Sequence, residues 1–335
     1  MTADVLRTNA GAPPAAISTG AHRLGLTAYA ACFSGIVWRE VLRYLHQRER
    51  FFSALVRPLI WLFIFAAGFR QTLGVSIIPP YQSYVLYEEF ITPGLIAMIL
   101  LFNAMQSSLS MVYDRETGAM RTLLVSPFPR SFLLLSKLLG GVAVALLQVY
   151  AFLFVAWFWE IRHAPFSEVQ LFTMYDGPAW LSGVIGSITE PIQIALFSLP
   201  VWFQGMAGYF TILPALVLAG LMLGSLALFM SSVIKQLENF AGVMNFVIFP
   251  MFFASSALYP LWRIREASPL LYEICRFNPF SYAVELIRFA FYGQIDVVSL
   301  LVVLGCTIFF LGAAVFAYNP SKGLIARRGG PGGSA

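Results

Sequence analysis

The sequence predicts an all-α membrane protein with six transmembrane helices, and three observations carry that expectation. Only 11% of the residues are charged and 59% are hydrophobic, against about 25% charged in a soluble globular domain. The apolar residues gather into runs long enough to cross the bilayer, which takes roughly 20 residues for about 30 Å of hydrocarbon. Charged residues fall between these runs, with Lys and Arg biased to one side, as membrane topology requires.

In chain order, residues 1–22 have no apolar core and read as a disordered tail. Residues 23–50 read as an amphipathic interface helix. Trp38, Val41, Leu42 and Leu45 follow the i, i+3, i+4, i+7 rule, while Arg39, Arg43, His46, Gln47 and Arg50 take the other face. A basic face opposite a Trp suits a helix lying in the headgroup plane. The membrane domain, 51–320, holds spans at about 52–72, 90–112, 135–159, 208–231, 240–261 and 297–318. Arg57 sits near the inner end of the first, where it can snorkel. The run 191–234 carries no charge. As one helix it would be about 66 Å long, too long for one crossing. Pro200, Gly205, Gly208 and Pro214 offer breaks, so the span starts after Gly205 and 188–204 stays at the outer surface or partly re-enters. Residues 262–296, broken at Pro269 and Pro279, read as short outer-face helices before the last span. Residues 321–335 read as a second disordered cytoplasmic tail.

Charge supports this count. With both termini inside, 15 of the 21 Lys and Arg lie on the inner side. The outer six are Arg70, Arg162, Arg263, Arg265, Arg276 and Arg288, the direction expected of positive-inside topology. A seventh span at 188–204 would move Lys322, Arg327 and Arg328 outside.

Several chemistries are absent from the sequence. None of the three lysines follows a glycine, so there is no phosphate-binding loop. There is no H-E-x-x-H and no G-x-S-x-G. Cys32, Cys275 and Cys306 have neither metal-ligand nor disulfide spacing. The basic residues form no single patch that would suit nucleic acid. No ionisable residue falls between the span ends, where an ion-coupled carrier usually keeps one. Energy for transport must therefore come from elsewhere, or transport is passive.

The segment Tyr113–Arg130, YDRETGAMRTLLVSPFPR, is a charged island between two uncharged flanks, 90–113 and 138–159. Glu116 to Val125 can form a short helix with Met120, Leu123 and Leu124 on one face. Ser126-Pro127 and Pro129 stop it, because a residue before proline avoids the helical region. Such a segment can receive force from a soluble partner; it can equally be an ordinary solvated loop.

Arg115-Glu116-x-Gly118-x-Met120-x-x-Leu123-Leu124-Val125-Ser126-Pro127 resembles the cytoplasmic motif of the ABC-2 type permeases. Ile91-Thr92-Pro93-Gly94-Leu95 is similar to that family's opening of the second span. Gly140-Gly141 after Lys137 matches its third span, and Asn278-Pro279-Phe280-Ser281-Tyr282, with Glu285 and Arg288, matches its element before the last span. The four lie in the family's order over about 30–320. Two features depart from the pattern: Ala119 and Arg121 stand where Thr and an acidic residue are common, and the outer segment 160–207 is long.

The resemblance implies the transmembrane subunit of an ATP-driven exporter in a bacterial inner membrane. It implies no catalytic residue, cofactor or metal on this chain, with ATP and Mg held by a separate ATP-binding subunit in two copies. A second copy of this permease, or a close homologue, would complete the assembly. Arg115, Glu116, Gly118, Met120, Arg121, Leu123 and Leu124 would form the cytoplasmic coupling helix, with Trp38, Arg39 and Arg43 on the interface helix as a second contact. Asn103, Gln106 and Ser107 on the second span, with Asn245 and Ser255 on the fifth, are candidates for the translocation path, although such residues also glue membrane helices together. Asn278, Pro279, Glu285 and Arg288 would support the outer helices. The apolar spans favour a lipophilic or amphipathic cargo. An ATP-independent carrier or scaffold, and an intramembrane lipid-modifying enzyme, are the competing classes.

Overall fold

A computed structural model describes residues 25–69, 80–81, 86–116, 128–158, 173–175, 178–180, 183–184, 186–187, 207–234 and 236–317. Its elements are α1 (Leu26–His46), α2 (Arg48–Phe69), α3 (Tyr87–Glu116), α4 (Arg130–Phe158), β1 (Thr173–Tyr175), α5 (Ala207–Thr211), α6 (Leu213–Val233), α7 (Leu237–Phe253), α8 (Leu261–Ala267), α9 (Pro269–Phe277), α10 (Pro279–Phe291), β2 (Gln294–Asp296) and α11 (Val297–Ala317). The two tails, residues 117–127 and most of 160–207 lie outside the described residues.

Among the described residues, four helices are long and apolar enough to cross a membrane: Tyr87–Asp114, Ser131–Phe158, Gly208–Val233 and Val297–Ala317. The expected first and fifth spans correspond to shorter apolar stretches, Ala54–Ile64 and Leu237–Phe253. Arg48, Glu49 and Arg50 precede the apolar stretch of α2, and Arg57 lies within it. In α7 the helix stops at Phe253, not near 261, because Pro250 lies in its last turn and the chain turns there toward α8.

The core is α3. Ile91, Leu95, Ile96, Leu101 and Met105 are fully buried, and α2, α4, α6, α7 and α10 all pack against it. Close approach is made possible by glycine. A Cβ on Gly94 would come within 2.7 Å of the Ala257 Cβ and 2.8 Å of its backbone. On α6, Gly220 and Gly224 lie one turn apart and face α4; a Cβ on Gly220 would sit 3.2 Å from Val142 Cγ1, and one on Gly224 would run into Leu138 Cδ1. Lipid tails are as apolar as Leu, so tight van der Waals packing between small residues is what holds such helices together.

α1 departs from the expected interface helix in length. It starts at Leu26 and stops at His46; residues 48–50 already belong to α2. The break is at Gln47, whose N–H turns back to the Tyr44 carbonyl at 3.1 Å. The helix runs alongside α4. Tyr29 packs edge-on to Phe132, Glu40 lies over Gly140, and Tyr44 reaches Gln148. Its protein-facing residues are Glu40 and Tyr44, while Trp38 and Leu45 remain exposed.

At the far end of the bundle, β1 pairs in parallel with β2, Thr173 opposite Gln294 and Tyr175 opposite Asp296. This ties the described part of 160–207 to the start of α11, which packs on α6 and α10.

Gly94→Val is expected to destabilise the protein by about 1–3 kcal/mol through overpacking. Thermal unfolding in detergent checks this against Gly242→Ala, whose added methyl meets open space.

Candidate functional site

Two ends of the bundle carry the sequence-predicted residues. At the first, α3 stops at Glu116 and α4 begins at Arg130, so both helices frame the charged island. Gly118, Met120, Arg121, Leu123 and Leu124 fall outside the described residues, and Arg115 lies in the last turn of α3. The frame itself is well tied. Lys137 Nζ donates to Asp114 Oδ2 at 3.1 Å, joining α4 to α3; Lys137 is only 6% exposed. Glu116 Oε1 accepts from the backbone N–H of Leu237 at 2.8 Å. It thus satisfies one of the donors that the first turn of a helix leaves open and places a carboxylate at the positive end of α7. Phe128, where the island rejoins the described chain, packs edge-on to Tyr29 of α1, with ring centroids 5.1 Å apart. The described ends of the island, 114–116 and 128–130, are therefore joined to α1, α4 and α7.

Between the ends runs a polar spine. Gln148 Oε1 accepts from Tyr44 Oη at 2.8 Å and from Asn103 Nδ2 at 2.5 Å, and Asn103 also donates to the Ile99 carbonyl at 3.0 Å. Asn103 is thus part of the join between α1, α3 and α4. Ser107 faces Gly141, where a Cβ would come within 2.9 Å of its Oγ. Gln106 is half-buried between two clefts. Asn245 is exposed on α7 next to Phe246. Ser255 is fully buried, its hydroxyl donating to the Phe252 carbonyl at 2.6 Å and accepting from Ala257 N–H at 3.2 Å. Of the five path candidates, the structure brings Asn103, Gln106 and Ser107 together on one side of α3; Ser255 stands apart in the turn after α7.

At the opposite end, Asn278 has two jobs. Its Oδ1 caps α10 by accepting from Phe280 N–H at 3.0 Å, and its Nδ2 donates to the carbonyls of Met251 and Ala254 at 2.7 Å each. The second pair closes the exposed C-terminal end of α7. Pro279, with its fixed backbone and missing N–H, takes the first turn of α10. Arg288 is 3% exposed. It pairs with Glu285, donates to the Ser256 carbonyl at 2.8 Å and lies 4.2 Å from the Phe90 ring centroid. Tyr81 packs beside it against Tyr292, and burial pushes the Tyr81 phenol above its ordinary pKa.

Sequence reasoning missed Tyr44, Gln148 and the Asp114–Lys137 pair. The available signal was Gln148, the one polar amide in the run 138–159. Arg39 and Arg43 of the interface helix both turn to Glu40, at 3.3 and 3.9 Å, and Trp38 stays exposed.

The family model of the ABC-2 type transporter matches residues 32–175 and 179–292. The chain belongs to the ABC-2 type transporter family. This permease is also similar to proteins named "Putative transport permease ycf38": 26% identical to that of Cyanophora paradoxa over 71% of this chain and 67% of the relative. It is 25% identical to that of Pyropia yezoensis, over 76% and 72%. It is thus a multi-pass membrane transport subunit, of a family that works in general with an ATP-binding partner.

Asp114→Asn leaves Lys137 buried without its carboxylate, at an expected cost on the order of 3 kcal/mol. The double change Asp114→Asn with Lys137→Met removes both charges and should recover most of the loss. Unfolding midpoints of the two variants check this, and equal losses would contradict it.

Proposed function

We propose that this permease is the membrane-spanning half of an ATP-driven exporter for a lipophilic or amphipathic cargo. Six spans cross a bacterial inner membrane with both termini cytoplasmic, α2 and α7 supplying the two shorter crossings. Two copies assemble with two ATP-binding subunits, which hold ATP and Mg. The charge bias of the loops supports the orientation, and family membership supports the partner.

The observation that carries the reading is the attachment of the 114–130 island. A push on that segment reaches α4 through Asp114–Lys137, α1 through Tyr29 and Phe128, and α7 through Glu116. α7 in turn is held at its far end by Asn278, so a displacement at one end of the bundle arrives at the other through one helix. The exposed flank of α2 and α7, with Phe52, Phe63, Phe246, Phe249 and Phe253 outward, is the surface for the second copy. Trp61 and Phe253 meet edge-on and make the two helices one face.

The test is co-expression with candidate ATP-binding subunits, followed by subunit stoichiometry and ATPase rate in mild detergent. A two-plus-two assembly is expected. Arg121→Glu should leave membrane insertion intact and lower coupled hydrolysis by about tenfold, which is 1.4 kcal/mol. Glu116→Ala should uncouple more than Glu116→Gln, which keeps an acceptor for Leu237. A well-folded permease that never retains an ATPase would refute the reading.

A further inference from the structure

Arg57 stands at the middle of the bundle, away from either end. It falls within the apolar stretch Ala54–Ile64 of α2, and its guanidinium lies 4.2 Å from the ring centroid of Phe102 on α3. Along α3, Phe102 is about 18 Å from Asp114 and about 20 Å from Glu89, at 1.5 Å of rise per residue. Lipid phosphates lie outside the hydrocarbon, at least about 15 Å from the mid-plane of a layer about 30 Å thick. An arginine at this level is too deep for the snorkelling that its place in the sequence suggests.

Among the described residues, no carboxylate pairs with Arg57 and no group accepts a hydrogen bond from it. A guanidinium carries five N–H donors, and this one is exposed. One helical turn further on, Trp61 meets Phe253 of α7, so Arg57 belongs to the flank on which the second copy docks. That copy brings no counter-charge with it: α2 has no Asp or Glu after Glu49, and α7 none after Glu238. Closing two apolar faces over an unpaired guanidinium is strongly unfavourable. The space beside Arg57 suits water instead. A cavity of about 30 Å³ lies between α2, α3 and α4, with Asn103, Gln106 and Gln148 in its wall. That volume holds about two water molecules beside amide groups.

We infer that Arg57 stands in a water-filled stretch of the path between two copies, and that it selects for a cargo carrying a negative group. This rests on the exporter reading and adds a charge to its amphipathic cargo. Two copies set two such guanidiniums across one gap. Low-dielectric walls focus the field of two like charges on the opening and draw anions into it. A phosphate, carboxylate or sulfate group meets its counter-charge halfway across, whereas a cation is repelled there.

The full chain is tested in lipid nanodiscs, with Cys32 and Cys306 replaced by alanine, the buried Cys275 kept and Ala54→Cys placed on the cavity wall. The same chain without Ala54→Cys gives the background. The new thiol is reacted with methanethiosulfonates bearing a sulfonate, a trimethylammonium or a hydroxyl group, each rate being divided by that for free cysteine. The sulfonate reagent should react about tenfold faster than the ammonium one. Arg57→Gln should abolish this preference while the uncharged reagent keeps its rate, which also reports an intact fold. Arg57→Lys should retain the preference. Ile308→Cys, on the outward side of α11, should react with neither charged reagent. An Ala54→Cys thiol as inert as that control would overturn the inference, by making the site dry. Equal normalised rates for the two charged reagents, or a preference untouched by Arg57→Gln, would overturn it as well. No ATPase or cargo enters this measurement. A selective, hydrated site in a chain that couples to no ATPase would therefore fail the exporter reading alone, and coupling in a chain with an inert site would fail only the inference.

Discussion

Close helix approach around α3 is the constraint on which the rest depends. Within hydrocarbon there is little hydrophobic gain from bringing apolar helices together, so contact density and internal hydrogen bonds must hold the bundle. Gly94 lets α3 meet the turn at Ala257, and Gly220 with Gly224 lets α6 meet α4. Gly140 and Gly141 do the same for α4 against α1 and α3, where Asn103 and Tyr44 converge on the one oxygen of Gln148. A thicker interface would break both of these bonds, in a medium where water cannot replace them.

The same packing gives α7 an unusual status. It touches α3 along its length, yet its ends are closed by side chains from elsewhere: Glu116 at one and Asn278 at the other. Helix ends are where backbone groups lack partners. Fastening them from other elements makes the position of α7 depend on both α3 and α10. Arg288 strengthens the second anchorage by binding the Ser256 carbonyl. α7 is thus a strut seated at two sockets, with an aromatic face left outward.

Much of this was legible in the sequence, and the failures have physical causes. The long uncharged runs marked α3, α4, α6 and α11 because length and hydropathy alone define a crossing. Hydropathy did not locate the end of α7, since residues 254–261 are apolar but turn; what stops the helix is Pro250 and the hydrogen bonds from Asn278. The amphipathic pattern of α1 placed Trp38, Val41, Leu42 and Leu45 on one apolar side, of which Trp38 and Leu45 are exposed. The contact with the protein falls to Glu40 and Tyr44, because a polar partner, Gln148, and a glycine, Gly140, wait on α4. Periodicity shows that a helix has two faces; it cannot show which one a polar partner on another helix will claim. The polar positions on α3 share one side of that helix, but their division between joint and cleft needed the neighbouring helices.

α11 is the least buried of the four long apolar helices, although it packs on α6 and α10. Ser299, Val303 and Ala314 are its buried residues, while Leu301, Leu304, Ile308, Phe309 and Phe316 face outward. It contains no charge over 21 residues, which as a helix is about 32 Å, close to the thickness of the hydrocarbon layer. Its inner side is held by α6, and its outer side is apolar along its length. A bilayer thinner or thicker than that length must tilt α11 or deform around it, at a fraction of a kcal/mol for each ångström of mismatch. Because α10 and β2 lie against α11, that tilt is felt at the end of the bundle that holds Arg288.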